Sequence, residues 1–123
     1  MPSATGYLID TNVLLRLSRT ADPENELVRK ALEAIDRQAA ELYFSLQNIG
    51  EFWNVCTRSP EKNGFGLSIE ETNGRVEVIE RTMTLLPDNE HVYSSWRRIV
   101  SAHDVRGVQV HDARLVALME STA

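Results

Sequence analysis

At 123 residues, with 42% hydrophobic and 25% charged positions, the chain has the length and balance of one globular domain with one core. No apolar run approaches the roughly 20 residues of a membrane span, and no basic segment followed by an apolar one opens the chain, so neither a membrane partner nor export is expected. A formal net charge of −5 argues against a broadly basic nucleic-acid surface, and the lone Cys56 excludes an intrachain disulfide and suits a reducing, cytoplasmic setting.

Residues 1–6 are small and polar and read as a terminus. Tyr7 to Ile9 reads as a short buried strand ending at Asp10. Asp10-Thr11-Asn12 is turn and cap chemistry, and helix continues over Val13 to Leu17. Asp22-Pro23 combines an N-cap aspartate with proline at the first helical position. Leu27, Val28, Ala31, Leu32, Ile35 and Ala39 then recur on one helical face. Leu42-Tyr43-Phe44 is a second strand, and Ser45 caps a helix whose apolar face is Ile49, Phe52, Trp53 and Cys56. Pro60, Gly64 and Gly66 among charges make 58–66 a loop. Ser68-x-x-Glu71 is a capping box opening a helix toward Arg81. Met83 to Leu86 forms a third strand stopped by Pro87. Asp88 caps a helix with Val92, Tyr93, Trp96, Ile99 and Val100 inward. Gly107 interrupts, and a last helix starts at about Val110.

Strand followed by helix, three times over, predicts an α/β domain spanning 1–123, with a parallel sheet and helices packed on it. Ligands of such open sheets gather at the carboxyl ends of the strands. Three acids fall there. Asp10 ends the first strand, Glu51 lies early in the helix after the second, and Asp112 sits in the first turn of the last helix. Each adjoins core-forming sequence, where a carboxylate is a poor structural choice. A divalent metal held by oxygen ligands is the simplest shared purpose. Each also has an ordinary use: Asp10 as a cap, Glu51 as a solvated helix residue, Asp112 as a first-turn carboxylate favoured by the helix dipole by about 0.3–1 kcal/mol. Arg114, two residues past Asp112, is a candidate for a substrate phosphate or a partner's carboxylate. His111 reads more simply as an exposed first-turn residue.

Tyr7-Leu8-Ile9-Asp10-Thr11-Asn12-Val13-Leu14-Leu15 resembles the opening motif of PIN-domain proteins. Asn48-Ile49-Gly50-Glu51-Phe52-Trp53-Asn54-Val55 resembles their second motif and Val110-His111-Asp112-Ala113-Arg114-Leu115-Val116-Ala117 their third. In order and over nearly the whole chain, they are similar to the VapC-type toxins of bacterial toxin–antitoxin pairs. The resemblance implies a three-layer α/β/α domain and a metal-dependent endoribonuclease. Asp10, Glu51 and Asp112 would be its catalytic ligands for Mg²⁺ or Mn²⁺, with Thr11 and Asn12 near metal and substrate. It further implies an RNA substrate, a cognate antitoxin protein and a homodimer, for which Trp53, Phe65 and Trp96 are candidate contacts. Family members usually continue into a fourth strand and a further acidic motif. Here the sequence ends at Ala123, so the expected sheet lacks its C-terminal strand or strands and leaves its first strand with an open edge. Neither Asp104 nor Glu120 is placed to replace the fourth acid. The alternative reading is therefore a catalytically weak or inactive PIN remnant that binds an antitoxin or another partner. A receiver-like phosphoacceptor domain fits poorly, since no lysine follows Lys62.

Overall fold

Alternation of side chains along three short strands divides the molecule into layers. The computed structural model describes residues 6–19, 21–37 and 41–120 (the side chain of Asp36 aside). In β2 (Leu42–Phe44), Leu42 and Phe44 turn to one face of the sheet and Tyr43 to the other. Leu8 of β1 (Tyr7–Leu8) shares Tyr43's face, and Ile9, just past the strand, shares that of Phe44. Around β3 (Thr84–Leu85), Met83 and Leu86 likewise fall on opposite faces.

One face carries α1 (Thr11–Ser18), α3 (Leu46–Thr57) and α4 (Ile69–Thr82), with α2 (Asn25–Arg37) laid against α1. Leu14, Phe52 and Cys56 are sealed there from solvent. The other face carries α5 (Glu90–Ala102) and α6 (Gln109–Glu120), which pack on each other around Val92, Ile99, Ala113, Ala117 and Leu118. The result is the expected three-layer α/β/α arrangement. Its sheet is parallel in the order β1-β2-β3, with Tyr7 opposite Leu42, Tyr43 opposite Thr84, and Phe44 opposite Leu85. Past the ladders, Ile9 N donates to Tyr43 O and Leu86 N to Phe44 O, both at 2.8 Å. Among the described residues no helix is long and apolar enough to cross a membrane.

Local chemistry explains most element ends. Asp10 caps α1, Ser45 caps α3, and Ser68 with Glu71 forms the full capping box of α4. At Gly64 the chain turns back so tightly that a Cβ would lie 2.0 Å from the Arg58 carbonyl oxygen. Gly107 takes a left-handed φ of 59° between α5 and α6, a conformation that costs glycine little.

The structure departs from expectation at several positions, each for a tertiary reason. Helix α2 begins at Asn25 rather than Pro23. The buried Asn25 amide donates to the carbonyls of Arg16 and Leu17, at 2.7 and 3.2 Å, and this clamp to α1 sets where the helix starts. Val28, Leu32 and Ile35 of its apolar series are half-buried, while Leu27 and Ala31 face solvent; Ala39 lies outside the described residues. The cap of α5 is Asn89, whose side chain accepts from His91 N at 2.9 Å. Asp88 instead binds Arg114 at 2.8 Å. Tyr93, expected inward, is 68% exposed. The aromatic residues considered for a dimer contact are half-buried within the chain: Phe65 lies under the Arg19 guanidinium at 4.3 Å, and the Trp96 indole donates to Val110 O at 2.9 Å.

Removing the largest side chain of this core should expose the adjacent thiol. Burial pushes the Cys56 thiol above its usual range, with the Arg75 charge opposing. Native Cys56 should therefore resist alkylation near neutral pH. Phe52→Ala should cost about 3–5 kcal/mol in urea unfolding and speed Cys56 labelling in proportion to the unfolded fraction.

Candidate active site

The carboxyl end of the sheet is built by the N-terminal ends of helices. Asp10 leaves β1 and, as the cap of α1, accepts from Asn12 N at 3.1 Å. The next residue, Thr11, is buried on the first turn, and its hydroxyl donates to Glu51 Oε2 of α3 at 3.0 Å. The same Thr11 oxygen accepts from the Asn48 amide at 3.2 Å. Asn48, 1% exposed, accepts in turn from the Ser45 hydroxyl at 2.7 Å, and its own N–H donates back to Ser45 Oγ at 3.1 Å. A buried polar chain thus runs from the cap of α3, through α1, to the exposed carboxylate of Glu51. Each buried hydroxyl and amide in it is paired, as low-dielectric surroundings require.

A second tie brings in α6. Gln47, one turn before Glu51, donates through Nε2 to Glu51 Oε1 at 3.1 Å and to the carbonyl of His111 at 3.3 Å. Its Oε1 is buried and has no hydrogen-bond partner. Glu51 is consequently gripped on both oxygens, from α1 and from its own helix, and the first turn of α6 is fastened beside it. Asp112 follows His111 in that turn and is exposed.

The three acids therefore stand on segments joined to each other by two side chains, Thr11 and Gln47. Among the described residues, no three His, Cys, Asp or Glu side chains form a ready-made metal-binding group. The carboxylates that edge the site are nonetheless hard oxygen donors, a set that suits Mg²⁺ or Mn²⁺ better than a softer ion. Asn12 is exposed beside Asp10. Arg114 lies across from Asp88, each side chain about half-exposed. Asp104 and Glu120 are engaged elsewhere, with Arg106 and Arg98 respectively.

Reading the sequence missed Gln47 and Asn48 and took Ser45 as a cap alone. One signal for Asn48 is visible in retrospect. Asn48, Phe52 and Cys56 follow one another at four-residue spacing, which sets an amide on the buried stripe of α3. A polar side chain on such a stripe needs partners.

Comparison with known proteins agrees with this architecture. The model of the PIN domain family matches residues 7–123. Among solved structures, the crystal structure of Mycobacterium tuberculosis VapC20, described as a sarcin–ricin-loop-cleaving toxin, superposes with a TM-score of 0.66. The match covers 94% of this chain and 82% of that one at 14% identity. No curated protein matches the sequence.

The direction of the buried chain can be tested. Thr11 has one proton, which goes to Glu51 because Asn48 supplies its own. In Asn48→Asp, two acceptors compete for it. We expect a loss of about 1–3 kcal/mol at pH 7 from the unpaired buried acceptor. Burial raises the pKa of the introduced carboxyl, so it regains a proton as pH falls and can donate again. The gap from wild type in urea unfolding should therefore narrow between pH 7 and pH 5.

Proposed function

Since the chain belongs to the PIN-domain family, we propose that it is a metal-dependent endoribonuclease, the toxin of a toxin–antitoxin pair, acting in the cytoplasm. The observation that carries the reading is the double grip on Glu51. Thr11 ties it to the segment of Asp10, and Gln47 ties it to the segment of Asp112.

In this reading Asp10, Glu51 and Asp112 hold Mg²⁺ or Mn²⁺. Such an ion supplies an activated water and offsets charge on the phosphodiester during in-line attack. The chain's own residues aim and support. Thr11 orients Glu51 and keeps its Oε2 from rotating away. Gln47 sets the spacing of α3 and α6 through its bonds to Glu51 and to the His111 carbonyl. Asn12, exposed beside Asp10, can reach substrate. Arg114 can exchange Asp88 for an RNA phosphate at little cost, because solvent-exposed ion pairs contribute only about 0–1 kcal/mol.

Two partners belong to the proposal. A cognate antitoxin suits a concavity of about 710 Å³ between α1, α2 and α4. Its wall is mainly apolar, including Leu14, Leu17, Leu32 and Val78, with Arg29 and Glu33 placed to pair with charges on a partner. A second copy of the chain suits the exposed Val116 of α6 and the edge position of β1 among the described strands. A second reading, an inactive module that binds partners, draws on the absence of a closed three-acid group among the described residues.

Purified protein with Mn²⁺ and a mixed RNA pool, run beside Asp10→Asn, separates the readings. The enzyme reading expects cleavage that drops on the order of 100-fold in the variant, the scale of a misplaced reacting group. It also expects millimolar Mn²⁺ to raise the melting temperature of wild type more than that of the variant. Equal cleavage by both proteins would place the activity outside this site. No cleavage by either, with a melt indifferent to Mn²⁺, would leave the partner-binding module.

A further inference from the structure

Next to the acidic edge lies a second cleft, of about 420 Å³, between the N-terminal halves of α5 and α6. Tyr93 and Trp96 line it with Val92 and Val110, and His111, Arg114 and Asp88 complete the lining. Tyr93 is 68% exposed, although its helix has a well-buried face through Val92 and Ile99. Its ring stands 6.1 Å from that of Trp96, with the planes 34° apart, so the two are cupped rather than stacked flat. Trp96 is fixed by the indole bond to Val110 O, at 2.9 Å, and needs no further polar partner.

Two further observations and one general rule of RNA recognition narrow the occupant. The lining is mainly apolar and carries one cation, Arg114, held by one half-exposed carboxylate. An aromatic, apolar surface beside a single exchangeable cation matches a planar ligand with an attached anion. The cleft is also continuous with the site already described, because His111 both lines it and accepts the Gln47 bond that fastens α6 to Glu51. Asp112 is the next residue, about 3.8 Å away along the backbone. Finally, single-stranded RNA is recognised chiefly by stacking its unpaired bases on aromatic side chains, with cations on the phosphates.

We propose that this cleft is a nucleobase subsite, which takes one unpaired base of the RNA next to the cleaved phosphate. The base packs on the Tyr93 ring against Trp96, and Arg114 leaves Asp88 for a neighbouring phosphate. A base held in a duplex cannot enter, so the cleft selects looped or single-stranded RNA. The choice of RNA as ligand rests on the ribonuclease reading, but base binding here needs neither a metal nor cleavage.

The test uses that independence. The probe is a short single-stranded oligoribonucleotide, 2′-O-methylated so that it cannot be cut, added in EDTA. Fluorescence of Trp96 is followed in a Trp53→Phe background. The proposal expects saturable quenching by the single strand and none by the same sequence in a duplex. Tyr93→Ala should weaken binding about 10- to 100-fold, the scale of losing one stacking contact, without lowering the melting temperature. Tyr93→Phe should bind as wild type does, since the ring and not the hydroxyl makes the contact. Arg114→Gln should weaken binding and flatten its salt dependence. Absence of saturable quenching, or equal affinity in Tyr93→Ala, would overturn the proposal. So would a wild-type dimer that Tyr93→Ala dissociates without any effect on RNA, which would assign the face to a second copy of the chain. Quenching intact in a protein that cleaves nothing would support the subsite and count against the ribonuclease reading alone.

Discussion

The acidic edge depends on one buried hydroxyl. Thr11 Oγ1 receives the Asn48 amide and gives its proton to Glu51, so it joins the end of β1 to the helix that follows β2. A hydroxyl is suited to this because it is donor and acceptor at once. An isosteric valine would leave the Asn48 amide without an acceptor and Glu51 free to turn into solvent. The pairing also accounts for the way the polar chain is sealed. Ser45, Asn48 and Thr11 are all buried, yet the chain ends on an exposed carboxylate, where charge can stay hydrated until a ligand arrives.

Parallel pairing makes that junction available. β1 and β2 run side by side in the same direction, so the helices that follow them begin at the same edge of the sheet. The caps of α1 and α3, Asp10 and Ser45, are therefore near neighbours of the site as well as ends of helices. The third contributor arrives from the opposite layer. α6 packs on α5 across the sheet from Phe52, and it is brought to the edge through Gln47 rather than through the shared core. Two independent apolar clusters thus meet at one polar seam.

What could be read in the residues followed their physics. Short apolar runs, the caps Asp10 and Ser45 and the box at Ser68–Glu71 act locally, and the structure has its strands and the starts of α1, α3 and α4 where these patterns put them. Interactions distant in sequence escaped. Asp88 looks like a cap by its position, but Arg114, 26 residues later, binds it and leaves the cap to Asn89. Asn25 sets the start of α2 by reaching back to α1, which no local pattern encodes. Gln47 gains its role only from α6, whose His111 carbonyl lies 64 residues away. Tyr93 has the spacing of a core residue, but the α5–α6 pair closes over Val92 and Ile99 and leaves its ring outside. The acids themselves were conspicuous because carboxylates beside apolar runs violate the usual pattern; the amide of Asn48 breaks the apolar stripe of α3 more quietly, and its pairing with Thr11 lies 37 residues away.

The separation of the two apolar clusters has a consequence for how the molecule opens. α5 and α6 make most of their contacts with each other, and small residues, Ala113 and Ala117, let them approach closely. Such a pair is a cooperative unit that can detach from the sheet while the layer built on Phe52 and Leu14 stays folded. Amide exchange in α5 and α6 would then run through a sub-global opening, ahead of α3, whose protons wait for complete unfolding. Each such excursion pulls the His111 carbonyl off Gln47 and takes Asp112 away from Glu51. The Gln47 tie between α3 and α6 is thereby coupled to the docking of a helical hairpin, and whatever clasps that hairpin, including a guest in the cleft beside Tyr93, also keeps the first turn of α6 beside α3.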